Sequence, residues 1–141
     1  MSEPYCFIDT AFVIRQLTRD VEPLSTYASA LFAAIEREEL TAQTSVTVVL
    51  ETIYVMTTQY HAGRIELAEG LASLLALDGI ELAGKRHVLE ALQLWALIRR
   101  LSFADAYHLV LTKYSLHKRI ATFDKGMDNC LPNVTRIEQF P

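Results

Sequence analysis

The chain has 141 residues, 51% of them hydrophobic, with only five Gly and four Pro and a formal net charge of −4. That length suits one domain with a sizeable core, and so little Gly and Pro excludes a linker-rich or disordered chain. Net acidity taken alone argues against a nucleic-acid binder, although divalent cations held by carboxylates reverse the sign locally. Met1-Ser2-Glu3-Pro4 lacks a basic leader with a long apolar run, and no stretch reaches the ~18–20 apolar residues of a membrane span. The two cysteines, Cys6 and Cys130, show no metal-type spacing and fit buried, reduced thiols in a cytoplasmic protein.

Tyr5-Cys6-Phe7-Ile8 is a short apolar run that stops at Asp9, which predicts a buried first strand with Asp9 at its C-terminal end. Helical spacing follows from Thr10 to Leu17 and from Tyr27 to Arg37. Glu39 to Gln43 reads as a short strand. The segment from about Thr44 or Ser45 to Gln59 is dense in β-branched residues, but its length favours helix, since strands seldom exceed ten residues. Gly63 to Leu77 predicts a helix and Ile80-Glu81-Leu82 a short edge strand. Lys85 to Leu101 carries the strongest helical pattern, with Val88, Leu92, Trp95 and Leu101 among its apolar positions. Ser102 can cap a further helix from Phe103 to about Lys113. Arg119 to Thr122 predicts a strand, Lys125 to Cys130 a turn or short helix, and Val134 to Ile137 a last strand. Strands alternating with helices mean α/β with a mainly parallel sheet, in one domain over residues 1–141. Ligands of such sheets bind beyond the C-terminal ends of the strands.

Asp9 and Asp124 lie at such ends. Each also fits a helix cap that accepts backbone N–H groups. Glu51 is the sole charge between Leu40 and Tyr60, in a helix with apolar residues on nearly every side. A buried carboxylate there needs a compensating partner such as a metal ion; the alternative is a half-exposed glutamate at a dimer surface. Asp105 stands three residues after Ser102, as in a capping box, at a helix start that also faces the ligand end of a sheet. Asp128 follows Asp124 by four residues, one turn further along the same face if Asp124 begins a helix. Several carboxylates without His or Cys spacing suit a hard cation, Mg²⁺ or Mn²⁺. His61, His87, His108 and His117 lack zinc spacing. Arg15, Arg19, Lys113, Lys118, Arg119 and Lys125 are candidates for phosphate contacts, or ordinary solvated charges.

Four short motifs in order, Phe7-Ile8-Asp9-Thr10, Glu51-Thr52-Ile53-Tyr54-Val55, Phe103-Ala104-Asp105-Ala106 and Ile120-Ala121-Thr122-Phe123-Asp124, resemble the PIN domain across nearly the whole chain. The size is similar to the VapC-like toxins of type II toxin–antitoxin pairs. The resemblance implies a PIN-like α/β/α sandwich, with a central sheet flanked by helices, and Mg²⁺- or Mn²⁺-dependent cleavage of RNA. It also implies a homodimer silenced by a cognate antitoxin protein. Asp9, Glu51, Asp105 and Asp124 would be the catalytic and metal-binding quartet, Asp128 an additional metal ligand, and Thr10 and Thr122 hydroxyls that orient ligands. Few Lys and Arg accompany the motifs, which leaves the RNA surface undefined.

Other phosphate chemistries fit less well. A haloacid-dehalogenase-like site needs a second Asp where Ala11 stands, and neither a phosphate-binding Gly-rich loop nor a dinucleotide fingerprint is present. The alternatives are a non-toxin PIN ribonuclease in RNA processing or decay, and a catalytically inactive PIN-like interaction module.

Overall fold

The computed structural model describes residues 3–140, and the chain divides into two compact units, up to Lys85 and from Arg86 onward.

In the first unit the elements are β1 (Cys6–Phe7), α1 (Thr10–Thr18), α2 (Leu24–Glu36), β2 (Ala42–Thr44), α3 (Val46–Thr58), α4 (Arg64–Leu75) and β3 (Ile80–Leu82). The strands form a parallel sheet in the order β1-β2-β3, with Cys6 opposite Ala42 and Ala42 opposite Ile80. Parallel neighbours need long crossovers. The pair α1–α2 supplies the first and α3–α4 the second. Ile8, Phe32, Ile35, Val49, Leu71 and Ile80 are buried in this unit's core. Thr44 Oγ1 donates to the Ile8 carbonyl at 3.0 Å and ties the end of β1 to β2. At Gly79 a Cβ would lie 2.8 Å from Ile35 Cγ2, so only glycine lets α2 approach this closely.

Helix α3 forms despite its β-branched content. Val48, Val49, Thr52, Ile53 and Met56 recur at helical spacing and are all buried, while Ser45 caps the helix by accepting from the Val48 N–H at 3.4 Å. Burial of that stripe outweighs a weak propensity penalty. Glu51 lies off the stripe and is exposed, which corrects the expectation of a buried carboxylate. The wet face of α3 is made of Thr47, Leu50, Tyr54 and Thr58 rather than charges.

The second unit holds α5 (Lys85–Leu97, whose first residue closes the first unit), α6 (Phe103–Lys113), β4 (Arg119–Ala121) and β5 (Thr135–Ile137). Strands β4 and β5 pair in parallel as a separate two-stranded sheet, Arg119 opposite Thr135. All strand pairs among the described residues are therefore parallel and flanked by helices, as the α/β reading requires, but they fall into two sheets. Helix α5 stops four residues short of Leu101. Ser102 needs an extended backbone (φ −74°, ψ 165°) to cap α6, so the chain leaves the helix beforehand through a turn that keeps Leu101 buried. Glu90 of α5 accepts from Tyr114 Oη and pairs with Lys113 Nζ at 3.2 Å, tying the middle of α5 to the end of α6.

Cys6 and Cys130 are free thiols and half-buried rather than fully buried. Among the described residues no helix is long and apolar enough to cross a membrane.

Candidate active site

Asp9 occupies the N-cap position of α1 with extended backbone (φ −88°, ψ 168°), yet its side chain accepts no capping hydrogen bond. The carboxylate is exposed. Its alternative role as a helix cap is thereby excluded. Thr10 follows, only 7% exposed, and its hydroxyl donates to Glu51 Oε1. That bond draws Glu51 from the middle of α3 to the strand–helix junction that carries Asp9. The junction thus holds two exposed carboxylates with a buried hydroxyl beside them, and the Thr10 bond engages only one Glu51 oxygen. An all-oxygen donor set of this kind fits a hard divalent cation. It is not a complete cage: within each unit, no three His, Cys, Asp or Glu side chains among the described residues gather closely enough to hold a metal ion.

Nearby on α1, Arg15 is held by Tyr60 Oη at 3.0 Å and Asp20 Oδ1 at 3.1 Å. The Tyr60 bond, with the Asp20 charge, raises its pKa further above the usual guanidinium range. Of the candidate phosphate ligands, Arg15 is therefore already partnered. Lys113 is likewise committed to Glu90, and Lys118 Nζ donates to the Lys113 carbonyl at 3.0 Å.

In the second unit Asp105 completes a capping box. Its backbone N–H donates to Ser102 Oγ at 3.0 Å, and its Oδ2 accepts from the Ser102 N–H at 3.4 Å. Asp124 caps the single 3-10 turn Lys125–Met127, accepting from the Gly126 N–H at 2.8 Å. For both residues the capping role is real, and each bond uses one carboxylate oxygen. Thr122 supports the same turn, its Oγ1 accepting from the Asp124 N–H at 3.1 Å.

Asp128 behaves differently. The element after Asp124 is a 3-10 turn rather than an α-helix, so residues four apart do not share a face. Asp128 Oδ1 accepts from Arg136 Nε at 2.8 Å. Arg136, its side chain 12% exposed, also donates to the Thr122 carbonyl at 3.0 Å and pairs with Glu138. Asp128, first among these, raises the guanidinium pKa well above its usual range. This clamp was missed in the sequence; the one signal was a lone cation inside the short run Val134-Thr135-Arg136-Ile137.

In parallel α/β units ligands bind beyond the C-terminal ends of the strands, where Asp9 and Asp124 stand. Compared with known protein families, the chain matches the PIN domain over residues 6–130. It belongs to the PIN domain family, whose members are generally nucleases and generally use divalent metals. No curated protein and no solved structure matches it.

Proposed function

We propose that residues 1–141 work as one PIN-like domain, a Mg²⁺- or Mn²⁺-dependent ribonuclease with Asp9, Glu51, Asp105 and Asp124 as its acidic set. The observation that carries the reading is at Asp9. It stands where a capping residue belongs yet does not cap, and Thr10 swings the lone charge of α3 toward it. Both carboxylates are exposed, so they stand open to a ligand from solvent.

When bound, the divalent ion supplies Lewis acidity and lowers the pKa of an attacking water. The chain's own residues do the rest. Thr10 fixes one Glu51 oxygen and so aims the other, and Asp9 offers a carboxylate not used by the helix. One carboxylate of the set accepts the proton of the attacking water. Asp105 and Asp124, held by their capping bonds, keep fixed positions in the first turn of α6 and before the 3-10 turn.

Incubation of total RNA with the chain and Mn²⁺ should yield new defined ends. Asp9→Asn should lower that activity by roughly 10²–10⁴-fold, the scale of a lost acid–base group. Full cleavage by Asp9→Asn would sink the assignment.

Within this reading the chain is a cytoplasmic, VapC-like toxin, a homodimer held silent by a cognate antitoxin. Its support is the motif order and the size. Growth arrest on expression, relieved by the product of an adjacent small gene, tests it; harmless expression of an active nuclease favours the non-toxin role in RNA processing or decay.

A further inference from the structure

We propose that the outer face of β4 is a subsite for single-stranded RNA, in which Phe123 stacks on an unpaired base and Arg119 holds a backbone phosphate. The inference rests on the ribonuclease reading and names where the substrate strand lies. Within β4, Arg119 and Ala121 are exposed and share one side while Ile120 is half-buried, and Phe123, at the bend just past the strand, is exposed as well. The Thr122 N–H donates to the Ile137 carbonyl at 3.1 Å, which extends the ladder past the end of β4. Faces of parallel sheets are normally covered by helices, yet Arg119 and Ala121 are both exposed.

Phe123 is 83% exposed, and the backbone on either side of it is anchored. Arg136 grips the Thr122 carbonyl on one side, and the Asp124 cap fixes the turn on the other. An exposed ring one residue before a candidate catalytic carboxylate offers a free face to a splayed base. Arg119 makes no side-chain hydrogen bond or ion pair among the described residues. It lies four residues before Phe123, within ~13 Å of it at about 3.3 Å per residue of extended chain.

Charge selects the occupant. From Arg86 onward there are eight Lys and Arg against five Asp and Glu, a net +3, whereas the part up to Lys85 carries five against twelve, a net −7. No acid occurs between Asp105 and Asp124. The acidity of the whole chain thus conceals a basic second unit, and a polyanion is the complementary partner.

The test is fluorescence anisotropy with a labelled, unstructured RNA of about a dozen nucleotides, in EDTA so that nothing is cut. Phe123→Ala should weaken binding roughly five- to a hundredfold, and Phe123→Trp should restore it. Arg119→Ala should weaken binding and reduce the salt slope by about 1. Affinity for a duplex of the same sequence should not respond to Phe123→Ala, because paired bases offer no free face. Unchanged single-strand affinity in Phe123→Ala overturns the subsite. So does unchanged affinity combined with a smaller assembly by sedimentation, which would assign Phe123 to a contact between copies. The two readings fail separately. RNA left intact by the wild-type chain with Mn²⁺ removes the nuclease, whereas persistent cutting with indifferent Phe123→Ala binding removes only the subsite.

Discussion

Asp105 and Asp124 each serve a backbone N–H with one carboxylate oxygen, so their structural and chemical roles can be separated by isosteric substitution. Asparagine keeps an acceptor oxygen for the cap and loses the charge; alanine loses both. Asp105→Asn and Asp124→Asn should therefore melt close to wild type while cleavage collapses, whereas the alanine variants should also lose about 1 kcal/mol of stability. Thermal melts and RNA cleavage on the same samples decide it, and active asparagine variants would leave only the capping role. A second prediction concerns Thr52, fully buried with a hydroxyl that finds no partner among the described residues. Thr52→Val keeps the shape, removes an unsatisfied group and should stabilise the chain by about 1–2 kcal/mol in urea unfolding. At this scale the sequence was informative about identity but not orientation. The isolation of Glu51 in an uncharged stretch singled it out, yet its burial was misjudged because Thr, Leu and Tyr can form a wet face as well as charges can. Whether Asp9 caps α1 depends on a side-chain rotamer, which local sequence does not specify.

Among the elements, the joint between α5 and α6 depends on one carboxylate. The Tyr114 hydroxyl first, then Lys113 and Arg86, hold Glu90 below the usual carboxylate range. A folded-state pKa lower than the unfolded one means stability present above the unfolded value and lost as pH falls through the folded one. Glu90→Gln should thus lower the melting temperature at pH 7 and cost little at pH 3. The group is near the surface, so the difference should be about 1 kcal/mol or less. An equal cost at both pH values would mean packing, not charge. Most elements could be located from periodicity, including α3, where length overruled β-branched propensity. The end of α5 was overrun because apolar spacing continues through Ile98 and Leu101, and only the backbone demanded by the Ser102 cap stops it. That the strands divide into two sheets follows from pairing partners distant in sequence, which no local pattern encodes.

For the molecule as a whole, the carboxylates of the candidate site should make its stability respond to metal. Mn²⁺ at about 100 times its dissociation constant should stabilise the chain by ~2.7 kcal/mol through mass action, and Asp9→Asn should lose most of that gain. Calorimetry with and without Mn²⁺ measures it. An inactive interaction module would show no such response.

The Arg136 clamp gives the end of the chain an unexpected task. Residues 131–140 lie past the family match, and by that measure they look dispensable. Yet a chain stopped at Asn133 would keep Asp9, Glu51, Asp105 and Asp124 but lose Arg136, which grips the Thr122 carbonyl and the Asp128 carboxylate on either side of the Asp124 turn, and leave Arg100, on the Gly126 and Asp128 carbonyls, to fasten it. Such a truncation would resemble a tool whose cutting edge is intact but whose handle has worked loose.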